Sequence, residues 1–307
     1  MKKTITQFSI FFTHSSFGAS IDEAVETVVS PLTTALSSAV FFEINLFGQA
    51  MPLIVLWLVS AGLFFTIYLG FINIRGFAHA IRVARGDYKD SNADGEISHF
   101  QAVSTAISGT VGIGNIGGVA VAIGIGGPGA AFWLFFAGFL GMSTKLVECT
   151  LGVKYRKINQ NGSVSGGPMH YLETLLSERR LPTVGKFLGS FYALALVIGC
   201  FGIGNMFQSN QAYVQFINIT GGDQSFFNER GWLFGLLMAF TVGAVIIGGI
   251  KSIAKAASKI VPFMGILYFS SSLVILILSA EHLVDSIILI VSEAFSSQST
   301  TGGMIGA

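Results

Sequence analysis

Apolar and polar positions along this chain fall into long blocks rather than into helical stripes or strand alternation. No charged residue occurs in residues 44–74, 97–144, 187–222, 231–250 or 260–280. A helix needs about 20 mostly apolar residues to cross the hydrocarbon of a bilayer. The blocks therefore predict spans near 51–73, 99–123, 129–152, 187–215, 231–250 and 260–280. The second block is long enough for two of them, and Gly126-Gly127-Pro128 supplies the turn between them. Glu281 and Asp285 form a short acidic link to a seventh helix starting near Ser286. That helix starts apolar, then acquires Glu293 and a run of Ser, Gln and Thr, and reaches Gly302-Gly303 shortly before Ala307. The expected organisation is a lead-in over 1–50 and a transmembrane domain over 51–307, with six complete spans and a truncated seventh.

Composition agrees with an all-α polytopic membrane protein. The chain is 52% hydrophobic and only 11% charged, with mean hydropathy +0.70, where a soluble domain carries about 25% charged residues. A net charge of +1, without any basic patch interleaved with aromatics, gives no support to a nucleic-acid partner, and none is expected. Cys149 and Cys200 fall at or inside predicted spans and read as small buried hydrophobes. The opening MKKTITQFSIFF hints at a signal peptide. Its apolar run is brief, however, and His14 follows without a small-residue cleavage site. It reads as a partly amphipathic lead-in, made acidic by Asp22, Glu23, Glu26 and Glu43.

Charge between the spans gives an orientation. Arg75, Arg82, Arg85 and Lys89 lie in 74–98, and Lys154, Arg156, Lys157, Arg179, Arg180 and Lys186 lie in 153–186. Lys251, Lys255 and Lys259 lie in 250–259, whereas the alternate links hold only Arg230. The positive-inside rule places these three basic loops in the cytoplasm and the N-terminus outside.

Chemistry concentrates in SGTVGIGNIGGVAVAIGIGGPGAAF, residues 108–132. Each glycine inside a helix costs about 1 kcal/mol against alanine, so this density predicts a helix broken in mid-membrane to expose its main chain. Gly112-Ile113-Gly114-Asn115-Ile116-Gly117 has the letters of a dinucleotide fingerprint but lacks the preceding strand and the later acidic residue, since no Asp or Glu separates Glu96 from Glu148. Gly114 and Gly118 also make a GxxxG pair, so close helix packing is a competing reading. Asn115 favours a site, because a polar side chain at that depth needs a partner or a cavity. With Thr110 and Ser108 it offers the hard oxygens an alkali cation accepts. Freed carbonyls would add more, and freed N–H groups would face a carboxylate. A related string, GIGNMFQSNQ, places Asn205, Gln208 and Gln211 three residues apart on one helical face. That face lines a cavity or makes interhelical hydrogen bonds. Lys145 and Glu148 read as a local ion pair. The five histidines show no transition-metal spacing, and no nucleophile–base pair supports an enzyme.

These strings resemble the sodium:alanine (alanine or glycine:cation) symporter family. The resemblance rests on GTVGIGNIGGVAVAIGIGGPGAAFW at 109–133, Glu148 with Tyr155-Arg156, SGGPMHY at 165–171 and GIGNMFQSNQA at 202–212. It implies the first half of a leucine-transporter-like fold of two inverted five-helix repeats, with one extra N-terminal helix. It also implies that 99–123 is the first core helix, unwound around Thr110–Gly114. The carbonyls of Ser108 and Val111 would then serve a sodium ion. Thr110 and Asn115 would sit near a second ion or the substrate, the N–H groups of Ile113 and Gly114 would meet the substrate carboxylate, and Asn205, Gln208 and Gln211 would wall the cavity.

The function so implied is sodium-coupled symport of a small neutral amino acid, alanine or glycine, across the cell membrane by alternating access. Sodium is the coupling ion, and no other cofactor is called for. The family's second repeat is absent from this sequence. The chain therefore also reads as a truncated transporter, as half of a split one with a separately encoded second half, or as a non-transporting interaction fragment in the bilayer.

Overall fold

A computed structural model describes residues 27, 30–31, 33–46, 49–88, 95–228, 230–296, 299–300 and 302–303. The first 26 residues, Lys89, Asp94 and the last four residues lie outside the described set. Helix dominates, as the blocks of hydrophobicity predict. Among the described residues two antiparallel hairpins interrupt it: Glu43–Leu46 pairs with Gln49–Pro52, and Lys157–Ile158 pairs with Val164–Ser165.

The helices follow the predicted blocks, with shifted edges. Residues 33–40 are already helical; the first predicted span is Leu53–Tyr68, followed after a left-handed Gly70-Phe71 turn by the short helix Ile72–Arg75. Ala130–Lys154 and Gly249–Leu278 are long and apolar enough to cross a bilayer, and so is the continuous run Pro182–Ile219. His99–Thr110 and Ile113–Gly126 meet the same criterion as a pair bent by 41°. Leu53–Tyr68 and Gly231–Ile246 are shorter apolar helices. The seventh is Leu283–Glu293.

Four expectations need correction. The 74–98 segment is not a loop throughout, because Phe77–Arg85 is helical. Residues 250–259 are not a loop. They form the first turns of Gly249–Leu278, because Ala254, Ala256 and Ala257 keep helical propensity high between the lysines. The 153–186 segment is also structured. It holds the second hairpin and the helix Pro168–Glu178, and Lys186 already lies in the helix starting at Pro182. Cys149 and Cys200 are exposed rather than buried, since most apolar side chains on membrane helices face outward.

Small residues set the helix contacts. A Cβ on Gly62 would stand 3.0 Å from Leu140 Cβ, so helix Leu53–Tyr68 lies close against Ala130–Lys154. In the same interface buried Thr66 Oγ1 donates to Ser143 Oγ at 3.0 Å, and Asn73 Nδ2 donates to the Phe139 carbonyl at 3.1 Å. We expect Thr66→Val and Ser143→Ala each to destabilise the protein by about 1–2 kcal/mol. The double variant should cost less than their sum by about 1 kcal/mol in denaturant melts in detergent. Strict additivity would show that the bond carries no energy.

A second close contact joins Pro168–Glu178 to Pro182–Phe201. Gly185 and Gly189 let the carbonyls of Glu173 and Met169 approach, at 3.0 and 2.7 Å from where a Cβ would stand. Burial, aided by the Glu148 carboxylate, pushes the Tyr171 phenol above its usual pKa, so it stays a neutral hydroxyl. Lys145 and Glu148 make the expected ion pair at 3.1 Å.

Candidate functional site

The glycine-rich block opens where its composition predicts. Ser98 caps the first half-helix: its Oγ accepts from Gln101 N–H at 3.3 Å, and Gln101 Oε1 accepts from Ser98 N–H at 3.0 Å. Just upstream, Glu96 accepts from the backbone N–H of Val164 at 3.2 Å, which ties this helix start to the second hairpin. The helix then runs to Thr110 and stops, because Val111 (ψ 106°) and Gly112 (φ −137°, ψ −167°) are extended. Neither torsion pair requires a glycine.

Unbroken helix would send the N–H groups of residues 112, 113 and 114 to the carbonyls of Ser108, Gly109 and Thr110. Instead Gly112 N–H donates to Asn115 Oδ1 at 3.0 Å, and Ile113 N–H donates to Gln208 Oε1 at 3.4 Å. The break thus turns main-chain carbonyls and N–H groups away from the ladder, which is what a site for an ion and an anionic group requires.

A side chain at Gly112 would meet a neighbour. A Cβ there would stand 2.9 Å from Gln208 Nε2. Gln208 comes from helix Phe207–Ile219, directly after a π-helical turn at Gly202–Met206. The sequence reading missed that turn, for which the Gly202-Ile203-Gly204 run before Asn205 was the available signal. Its i→i+5 bonding shifts Asn205 out of the 3.6-residue phase of Gln208 and Gln211, which share the α-helix Phe207–Ile219. Gln208 reaches the break. Asn205 Oδ1 accepts from Ser209 Oγ at 3.5 Å, and Gln211 Nε2 donates to Asn210 Oδ1 at 3.4 Å.

The other candidates are placed as follows. Thr110 Oγ1 donates back to the Ala106 carbonyl at 2.7 Å, and Ser108 Oγ to that of Thr105 at 2.8 Å. Both hydroxyls keep acceptor lone pairs. Asn115 holds the Gly112 N–H and retains capacity on the same oxygen. Val111 is exposed. Open space surrounds Gly109, Gly114 and Gly118, with nothing among the described residues within 4 Å of an added Cβ. The GxxxG packing reading of Gly114 and Gly118 therefore finds no partner helix here. A cleft of about 190 Å³ lies elsewhere, between Pro168–Glu178 and Pro182–Phe201, and His170, Glu173, Lys186 and Ser190 line part of it. Among the described residues no group of three or more His, Cys, Asp or Glu side chains could hold a metal ion.

The far end of the second half-helix meets the segment after Glu293. Gly127 (φ 74°) and Pro128 make the predicted turn. Ser299, buried, donates its Oγ to the Gly126 carbonyl at 2.7 Å, and Trp133 Nε1 donates to the Ala294 carbonyl. A Cβ on Gly302 would fall 2.3 Å from Gly126 Cα, and one on Gly129 2.5 Å from the Glu293 carbonyl. Phe295 packs against Phe132 and Trp133. The two glycine-bearing segments singled out from the sequence therefore touch, backbone to backbone.

The chain matches the model of a family described as the sodium:alanine symporter family over residues 34–307. It is 40% identical over 255 residues to the sodium/alanine symporter AgcS of Methanococcus maripaludis, covering 83% of this chain and 54% of that protein. A putative sodium/proton-dependent alanine carrier of Bacillus subtilis, YrbD, is 37% identical over 81% of this chain and 48% of its own length. The probable sodium/glutamine symporter GlnT of the same organism is 32% identical over 83% and 50%. The chain spans about half the length of the curated relatives it matches.

Proposed function

Because this chain belongs to the sodium:alanine symporter family, we propose that it serves sodium-coupled symport of a small neutral amino acid, alanine or glycine, through the break at Val111–Gly112. The observation that carries the reading is the diverted hydrogen bonding of Gly112 and Ile113 inside a charge-free, membrane-length pair of helices. In this reading the carbonyls of Ser108 and Val111, with Thr110 and Asn115, hold sodium. The N–H groups of Ile113 and Gly114, at the start of the second half-helix, take the substrate carboxylate, where the helix dipole favours negative charge. Gln208 Oε1 occupies the Ile113 N–H that a carboxylate oxygen would use, so substrate displaces the amide or shares the donor with it. Narrow space beside Gly112 favours a small side chain.

The bent pair would be the first core helix of a leucine-transporter-like inverted-repeat fold, Leu53–Tyr68 the extra helix before it, and the segment around Gly302 the start of the second broken helix. The protein would sit in the cell membrane with its N-terminus outside and with 74–98, 153–186 and 250–259 on the cytoplasmic side. The asymmetry of Lys and Arg supports that orientation.

The test is uptake into proteoliposomes under an inward sodium gradient, with alanine, glycine and glutamine compared. Glutamine is included because one relative is named for it. Alanine or glycine uptake should exceed glutamine uptake and collapse when choline replaces sodium. Asn115→Ala should reduce uptake at least about tenfold, equivalent to about 1.4 kcal/mol. Equal uptake in choline would reject the coupling, and unchanged uptake in Asn115→Ala would reject its role.

A further inference from the structure

Helix Gly249–Leu278 is 30 residues long, or about 45 Å at 1.5 Å per residue. The hydrocarbon core is only about 30 Å thick. Its uncharged portion begins after Lys259, so the first turns, GIKSIAKAASKI, extend beyond the hydrocarbon as continuous helix. They are amphipathic. Lys251, Lys255 and Lys259 recur every four residues and share one face with Ser252 and Ser258. Ile250, Ile253, Ala254, Ala257 and Ile260 lie around the opposite side. Ala254, Ala257 and Val261 are buried, and the helix packs along His99–Thr110, the first half of the broken pair. All three lysines are exposed, and none makes an ion pair among the described residues. Ile250 and Ile260, 44% and 61% exposed, flank them with apolar surface.

We propose that this lysine face is a docking surface for anionic phospholipid headgroups, seated beside the first half of the broken helix. Three like charges at one-turn spacing repel one another, and the basic first turn also opposes the helix dipole. Headgroup phosphates relieve both penalties, while Ile260, the nearer of the two to the uncharged portion, meets the acyl boundary. A basic amphipathic segment that continues a membrane helix suits this chemistry, and each lysine near an anionic surface contributes about a fivefold gain in binding. The inference depends on the helix spanning the membrane and is independent of what the protein transports.

The experiment is native mass spectrometry of the 307-residue chain in neutral detergent, with phosphatidylglycerol, phosphatidylcholine or inorganic phosphate added. Retention of phosphatidylglycerol over phosphatidylcholine by at least tenfold is expected, with inorganic phosphate failing to displace it. Lys255→Gln should weaken retention about fivefold, and the triple change of Lys251, Lys255 and Lys259 to Gln should abolish the preference. The triple change to Arg should keep it, which separates charge from folding. An unchanged preference in the triple Gln variant would overturn the proposal. So would a lost preference in the triple Arg variant, equal retention of the two lipids, or displacement by phosphate.

Discussion

Replacing Gly302 with alanine is expected to lower the thermal midpoint of the detergent-solubilised protein by roughly 5–10 °C, the shift that about 3 kcal/mol produces in a protein this large. The new Cβ would fall 2.3 Å from Gly126 Cα and 2.7 Å from the Ala122 carbonyl. Both are backbone atoms, so no rotamer change relieves the clash, and the 299–303 segment must lift away from the second half-helix. That motion would also break the buried bond from Ser299 Oγ to the Gly126 carbonyl. Gly118→Ala is the control. It lies in the same half-helix with nothing among the described residues within 4 Å of its Cβ, and should be neutral or gain up to about 1 kcal/mol from helix propensity. Equal effects of the two substitutions would mean that the contact between the two glycine-bearing segments contributes nothing.

The second large effect is functional. Gly112→Ala should leave the fold intact, because its extended torsions suit any residue and the opposing atom is the tip of a flexible side chain. On the proposed function it should nevertheless reduce sodium-dependent uptake about tenfold, because the added methyl crowds the Gln208 amide and narrows the break. Adding Gln208→Ala removes the atom at 2.9 Å and should restore part of that loss. A double variant no better than Gly112→Ala would show that the clash with Gln208 is not the cause. Measuring helix content alongside uptake keeps a folding defect separate from a site defect.

The site was legible to different depths at different residues. Thr110–Asn115 could be located from the sequence because a membrane span rarely carries so many glycines beside an asparagine, and such a composition is stable only where backbone is put to use. Gln208 could be nominated but not separated from Asn205 and Gln211, since equal spacing implies one face only if the helix keeps its 3.6-residue phase. The π-turn at Gly202–Met206 removes that condition for Asn205, while Gln208 and Gln211 share the α-helix Phe207–Ile219 and only the tertiary contact tells them apart. The lysines at 251, 255 and 259 misled in the opposite direction. Charge marks where hydrocarbon ends, and hydropathy treats that as the end of the helix, but the backbone ladder continues through it.

What the sequence determined by itself is the membrane class, the approximate helix order, the family and the place of the break. Each rests on local composition, which the bilayer and the helix enforce along the chain. Tertiary structure decided which amide reaches Ile113 N–H, which side chain a Cβ at position 112 would meet, and that Ser299 and Gly302 close on Gly126. Those facts depend on contacts across 95 and 173 residues of chain. The energy of such a contact resides in the approach of two backbones, and no single stretch of sequence carries it.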